Sequence, residues 1–138
     1  MPGYSGTPLA KKLGYKANCR AYVEGAPDEY RTWLEPLPEG VTFLGRTANS
    51  LDLVHLFASE AAVIDRRLDS YLKRIVPAGA IWVSWPKKSS GVTTDLDENI
   101  VRDCGLRAGL VDIKVCAVTN IWSGLKFVIP VKDRAKRK

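Results

Sequence analysis

Leu51-Asp52-Leu53-Val54-His55-Leu56-Phe57 and Ala80-Ile81-Trp82-Val83-Ser84-Trp85 are two nearly uninterrupted apolar runs separated by residues 58–79. A strand with one solvated face shows a polar residue at every second position. A run apolar throughout therefore marks a strand covered on both sides, as in a parallel sheet held between helices. Between the two runs, Ile64, Leu68, Tyr71, Leu72 and Ile75 recur at i, i+4, i+7, i+8 and i+11, a continuous stripe, while Asp65, Arg66, Arg67, Asp69, Lys73 and Arg74 take the other face. The spacing predicts a helix from a cap at Ser59 to Val76, ended by Pro77-Ala78-Gly79. Strand, helix, strand with the strands parallel is a right-handed crossover, and it decides the fold class: α/β, three layers, with a mostly parallel sheet.

Toward the C-terminus, Asp95 with Glu98 three residues on reads as the capped start of a helix that buries Leu96, Ile100, Val101 and Cys104 and ends at Gly105. Two alternating strands follow. Val111, Ile113 and Val115 alternate with Asp112, Lys114 and Cys116, and Leu125, Phe127 and Ile129 alternate with Lys126 and Val128. Alternation implies one solvated face, so the two are expected to form an antiparallel hairpin through Thr119-Asn120 at a sheet edge. Toward the N-terminus, Val41 to Leu44 and Arg20 to Val23 read as strands, and Pro27 to Leu34 as a helix stopped by Pro36 and Pro38. A Thr7 cap, Pro8 and a terminal Gly14 delimit a short helix over 8–13.

The chain has 138 residues, a length suited to one domain, expected here over 1–131 with a disordered basic tail over 132–138. The net charge of +6 sits largely in that tail, where Lys132, Arg134, Lys136, Arg137 and Lys138 face a single Asp133. Such a segment attracts phosphate backbones without sequence preference, and it is the only feature that points to nucleic acid. No apolar run approaches the ~18 residues of a membrane span, and Met1 to Gly6 lack the pattern of a secretory signal, so a cytoplasmic protein without membrane partners is expected. Cys19, Cys104, Cys116 and the lone His55 have no ligand spacing, and no metal is expected. His55, flanked by Val54 and Leu56, reads as a core imidazole satisfied by one hydrogen bond, and the acidic residues Asp95, Asp97 and Glu98 as helix capping. Neither a G-x-S-x-G elbow nor a phosphate-binding G-x-x-x-x-G-K-S/T loop occurs, and no catalytic residue is assigned.

From Leu51 to Ile129 the order of elements, with Pro77-Ala78-Gly79 between helix and strand, resembles the C-terminal half of class I S-adenosylmethionine-dependent methyltransferases, a Rossmann-like fold; Leu13-Gly14-Tyr15-Lys16 before Arg20-Ala21-Tyr22-Val23 resembles the approach to their first strand. Over nearly its full length the chain is similar to a bacterial family catalogued as domain of unknown function 3052. That similarity rests on Gly3-Tyr4-Ser5-Gly6-Thr7-Pro8-Leu9, Trp85-Pro86-Lys87-Lys88-Ser89-Ser90-Gly91 and Trp122-Ser123-Gly124-Leu125-Lys126. The methyltransferase resemblance implies a glycine-rich turn after the first strand for the cofactor. Here Pro27 and Glu29 stand in place of the second and third glycines, Arg46 follows the second strand where an acidic residue would hold the ribose, and Ala58-Ser59-Glu60 does not match the N-P-P-Y type segment of amino-group methylation. No cofactor is therefore expected.

In open α/β sheets ligands lie beyond the carboxyl ends of the strands. The loop there, after Trp85, gathers Lys87, Lys88, Ser89, Ser90, Gly91, Thr93 and Thr94 ahead of a helix, the ingredients of an anion site, with Trp122, Ser123 and the Tyr4-Ser5-Gly6-Thr7 segment as its border. Trp122 also reads as a hairpin-edge aromatic covering apolar surface. The expectation is a non-catalytic binding module for a small anionic or phosphorylated ligand or a protein partner. The alternatives are a degenerate or cryptic methyltransferase-like enzyme, and a nucleic-acid-associated adaptor that uses the tail.

Overall fold

In chain order the elements are α1 (Leu9–Leu13), β1 (Arg20–Glu24), α2 (Tyr30–Trp33), β2 (Thr42–Phe43), β3 (Leu51–Phe57), α3 (Ala61–Leu72), β4 (Ile75–Pro86), α4 (Glu98–Arg107), β5 (Val111–Ala117), β6 (Trp122–Val128) and α5 (Val131–Arg134), with a 3-10 turn at Lys88–Ser90. This structure, a computed structural model, describes residues 8–135, so the Thr7 cap, the Tyr4 to Thr7 border and residues 136–138 lie outside the described residues. The strands form one six-stranded sheet in the order β2-β1-β3-β4-β6-β5. β1 to β4 are mutually parallel, and β6 and β5 return antiparallel as the C-terminal hairpin. The α/β, Rossmann-like class and the edge hairpin read from the sequence are those of the structure. No helix among the described residues is long and apolar enough to cross a membrane.

Helices α3 and α4 cover one face, where Ile64, Leu68, Tyr71, Val101 and Cys104 pack on Val54, Leu56, Ile81, Val83, Leu125 and Phe127. On the opposite face α1 and α2 bring Leu9, Ala10, Leu13 and Tyr30 against Leu53, Phe57, Trp82 and Val118. Coverage on both faces is the reason β3 and β4 carry apolar side chains at almost every position. α2 and β2 are much shorter than the runs expected over 27–34 and 41–44.

The structure differs from the periodicity at the end of α3, at both ends of α4 and within β5. α3 stops at Leu72 instead of continuing to Val76, because Ile75 pairs with Leu51 and opens β4. The β-branched pair Ile75-Val76 gains more in a ladder than in a helix end. Pro77-Ala78-Gly79 is then an irregularity inside β4, between the pairs Leu51–Ile75 and Leu53–Ala80, where a missing N–H is tolerated. The second boundary is the start of α4 at Glu98, capped by Asp97, whose carboxylate accepts from Ile100 N–H at 2.9 Å. Asp95 instead accepts from Ala61 N–H at 3.1 Å, a cap for α3 from another part of the chain that replaces the expected Ser59. The same helix runs through Gly105 to Arg107, and Gly105 serves packing instead of ending it, because a Cβ there would run into the Phe127 ring. Finally, β5 carries a register shift between Asp112 and Lys114, which breaks the alternation, so Val111, Ile113 and Val115 are exposed and Cys116 is buried.

Candidate functional site

The carboxyl ends of β1, β3 and β4 meet the β5–β6 turn on one edge of the sheet, as the pairing of Pro86 with Trp122 requires. Gly25, just past β1, has φ +77°, and a Cβ there would stand 2.5 Å from the Phe57 carbonyl oxygen, so only glycine lets the chain turn this close to β3. Glu24 before it is engaged from α3: its Oε1 accepts from Arg67 Nε at 2.9 Å and from the Tyr71 hydroxyl. Burial pushes the Glu24 carboxyl up, but the bonds from Tyr71 and Arg67 outweigh it and leave the group below the ordinary carboxylate value.

Beside this turn lies a groove of about 530 Å³ whose walls include Pro27, Glu29, Trp33, Val92, Ile121 and Trp122. Phe57 packs between the two indoles, its centroid 5.0 Å from Trp122 and 6.4 Å from Trp33. The groove thus runs from α2 to the hairpin turn between two indoles, against both of which the buried Phe57 ring packs, with Glu29, Thr119 and Asn120 as its polar residues.

Of the residues singled out in the sequence, the fold brings the loop after β4 against the hairpin: Lys87 N–H donates to the Ile121 carbonyl at 2.7 Å. Two hydroxyls in this loop are committed to the backbone. Ser90 Oγ donates to the Lys87 carbonyl and accepts from Val92 N–H. Thr94 Oγ1 donates to the Ser59 carbonyl and accepts from Leu96 N–H. Lys88, Ser89, Gly91 and Thr93 are exposed, Trp122 and Ser123 partly buried, and the α4 N-terminus that the loop feeds is already capped by Asp97. At the other end of the chain, Lys132 and Arg134 belong to the α5 turn, and Arg134 Nε donates to the Ile129 carbonyl.

Below the groove runs a buried polar chain that the sequence reading missed beyond its one histidine. Tyr15 and Tyr30 hydroxyls are 2.8 Å apart, Tyr30 OH is 2.8 Å from His55 Nδ1, and His55 Nε2 is 2.7 Å from Ser84 Oγ. Both ring nitrogens are satisfied, one more than expected. Burial pulls the His55 imidazole down to about 3; it is also the largest cause that raises the Tyr15 and Tyr30 phenols, reinforced at Tyr30 by the contact with Tyr15. The imidazole is thus neutral, donating at one nitrogen and accepting at the other. A signal was present in the sequence: His55 and Ser84 are polar residues within the two apolar runs, both are buried, and the register, with Trp82 opposite His55 and Phe57 opposite Ser84, sets them on a diagonal between neighbouring strands.

No family model matches the sequence, and no curated protein matches it. Solved structures do share its fold. A precorrin-6y C5,15-methyltransferase from Geobacter metallireducens aligns with a TM-score of 0.59 at 11% identity, over 93% of this chain and 94% of that one. A SAM-dependent methyltransferase from Aquifex aeolicus aligns at TM-score 0.56 and 14% identity, over 88% of each chain, and a TehB-like one from Corynebacterium glutamicum at 0.54 and 8%, over 92% and 90%. The fold is therefore the Rossmann-like methyltransferase fold. These neighbours overturn the expectation of a non-catalytic binding module and favour the methyltransferase-like alternative.

That fold implies a sulfonium methyl donor, and the two halves of the edge meet its chemistry differently. The turn after β1 does not fit the donor's amino-acid end, since Pro27 offers no N–H and Glu29 adds a like charge to its carboxylate. The groove would suit the nucleoside end: the Trp33 and Trp122 indoles would flank a flat base, and Glu29 could accept from ribose hydroxyls.

Proposed function

We propose that this chain is a degenerate methyltransferase-like enzyme that takes the nucleoside half of its donor into the groove between α2 and the β5–β6 turn. The observation that carries the proposal is the apolar groove lined by Trp33 and Trp122 at the carboxyl edge of a methyltransferase-type sheet. Trp33 and Trp122 would flank the base and Glu29 would take the ribose hydroxyls, while Lys87 and Lys88 on the adjoining loop would face the donor's carboxylate in place of the missing glycine N–H groups. When bound, the donor supplies an electrophilic methyl group. We also propose, on the motifs quoted from the sequence alone, that the chain belongs with the domain of unknown function 3052 family. Two of the motifs behind that resemblance pair across β4 and β6, Trp85 with Ser123 and Pro86 with Trp122, directly beside the groove. Three buried, free cysteines agree with a cytoplasmic protein.

Calorimetric titration with S-adenosylmethionine and S-adenosylhomocysteine tests the proposal. Saturable binding of both is expected, weakened at least tenfold by Trp122→Ala. The double change Lys87→Ala/Lys88→Ala should weaken binding while costing under ~1 kcal/mol of stability, because exposed charges contribute little to folding. Absence of saturable binding of either compound at millimolar concentration would overturn the assignment.

A further inference from the structure

At the opposite edge of the sheet the amino ends of the parallel strands form a second cavity, of about 350 Å³, lined by Gly14, Lys16, Asp52, Ala78, Gly79 and Lys126 among others. Its charge pattern is unusual for a folded surface. Lys126 on β6 stands directly opposite Lys114 on β5, and like charges facing each other across an antiparallel pair are destabilising. Lys114 Nζ donates to the carbonyl of Lys12 at the end of α1, which draws that segment of α1 into the same cluster. The Lys126 side chain is partly buried, and its ammonium has no hydrogen bond or ion pair among the described residues. Its Nζ lies against Gly14, where a Cβ would come within 3.4 Å. Burial together with Lys114 and Lys16 holds the Lys126 ammonium below the ordinary lysine value. One acid lines the cavity, Asp52, and its Oδ2 already accepts from Arg20 N–H at 2.9 Å.

Nothing in the packing demands this arrangement. A neutral side chain at 126 would sit between Trp82 and Lys114 without the desolvation cost. An anion in the cavity would neutralise this uncompensated charge, and lysine is a point-charge partner for phosphate. The irregular stretch Pro77-Ala78-Gly79 of β4, which forms part of the wall, opens the space in front of Lys126, as bulges do beside binding sites. We propose that this cavity is a second binding site, for a small phosphate-bearing ligand held by Lys16 and Lys126, with the neighbouring Lys114 adding to the positive potential. The recessed position of Lys126 and the concavity between α1 and β4 favour a compact ligand over a polymer lying across the surface.

The site is separate from the carboxyl-edge groove, so its test is independent of the methyltransferase-like assignment. Titrating the full chain with inorganic pyrophosphate at low ionic strength, by calorimetry and by thermal melting, should give saturable binding and a rise in Tm that weakens with salt. Lys126→Gln is expected to lose at least tenfold in pyrophosphate affinity while the ligand-free protein melts no lower than the parent, since a repulsive charge has been removed. Lys16→Gln, at an exposed position, provides a second variant with the same expected direction. No saturable binding of pyrophosphate, or binding unchanged in both variants, would overturn the proposal. So would tighter binding of a single-stranded RNA oligomer, at equal phosphate, that ignores Lys126→Gln.

Discussion

The two faces of the sheet share every strand and differ in what they bury. Under α3 and α4 the core is continuous hydrocarbon and aromatic surface, with its polar contacts, Glu24 to Arg67 and Tyr71, kept at the rim. Under α1 and α2 the same strands enclose Tyr15, Tyr30, His55 and Ser84 in one hydrogen-bonded chain, and Trp82 Nε1 donates to the Leu13 carbonyl to fix α1 against the sheet. The first face holds the fold by area removed from water. The second gives up part of that area to groups that must all be paired, since an unpaired buried polar group costs more than a hydrogen bond returns. Both cavities argued above open beside this second face.

Three measurements sharpen the contrast, in descending order of expected effect. Phe127→Ala empties the centre of the apolar face, where the ring fills the space left by Gly105, and should cost about 3–5 kcal/mol in urea unfolding. A cost below ~1 kcal/mol would mean that this face is loosely packed.

The second concerns pH. His55 titrates at about 3 in the folded chain against an ordinary value of 6.5, so between those limits the unfolded chain binds a proton that the folded chain refuses. Stability should be level above pH 6.5 and fall as pH drops toward 3, by about 1.4 kcal/mol per pH unit through the middle of the window. Replacing the imidazole, as in His55→Gln, should flatten that segment of the curve. An equal slope in the variant would assign the acid sensitivity elsewhere.

The smallest effect is expected from Ser84→Ala, which removes one link and leaves His55 Nε2 without a partner, at about 1–3 kcal/mol. A neutral result by thermal and urea melting would show that the polar chain contributes no net stability on its face.

Much of the layout was legible because it depends on local pattern. Leu51–Phe57 is a strand with the bounds its composition suggests, and Ile64, Leu68, Tyr71 and Leu72 form the buried stripe of α3. Gly14 ends α1 in the left-handed conformation expected of a terminal glycine. The candidate site was legible only in part. Trp122 and the loop after Trp85 stood out as motifs, whereas Trp33 and Phe57 carried no signal of their own, and only the fold sets them beside the hairpin.

By itself, then, the sequence determined the class of fold, the two covered strands and the hairpin, because hydrophobic periodicity is a property of neighbouring residues on one element. Only the tertiary structure decided that Ile75 leaves the helix for a strand, that Asp95 caps α3 and not α4, and that Val115 faces outward. It alone joined Tyr15, Tyr30, His55 and Ser84 into one chain, and set Lys126 against Lys114 over an open cavity. Each of these is a contact between residues distant in sequence, and its energy depends on pairing register and on what else is desolvated there, which no local pattern encodes.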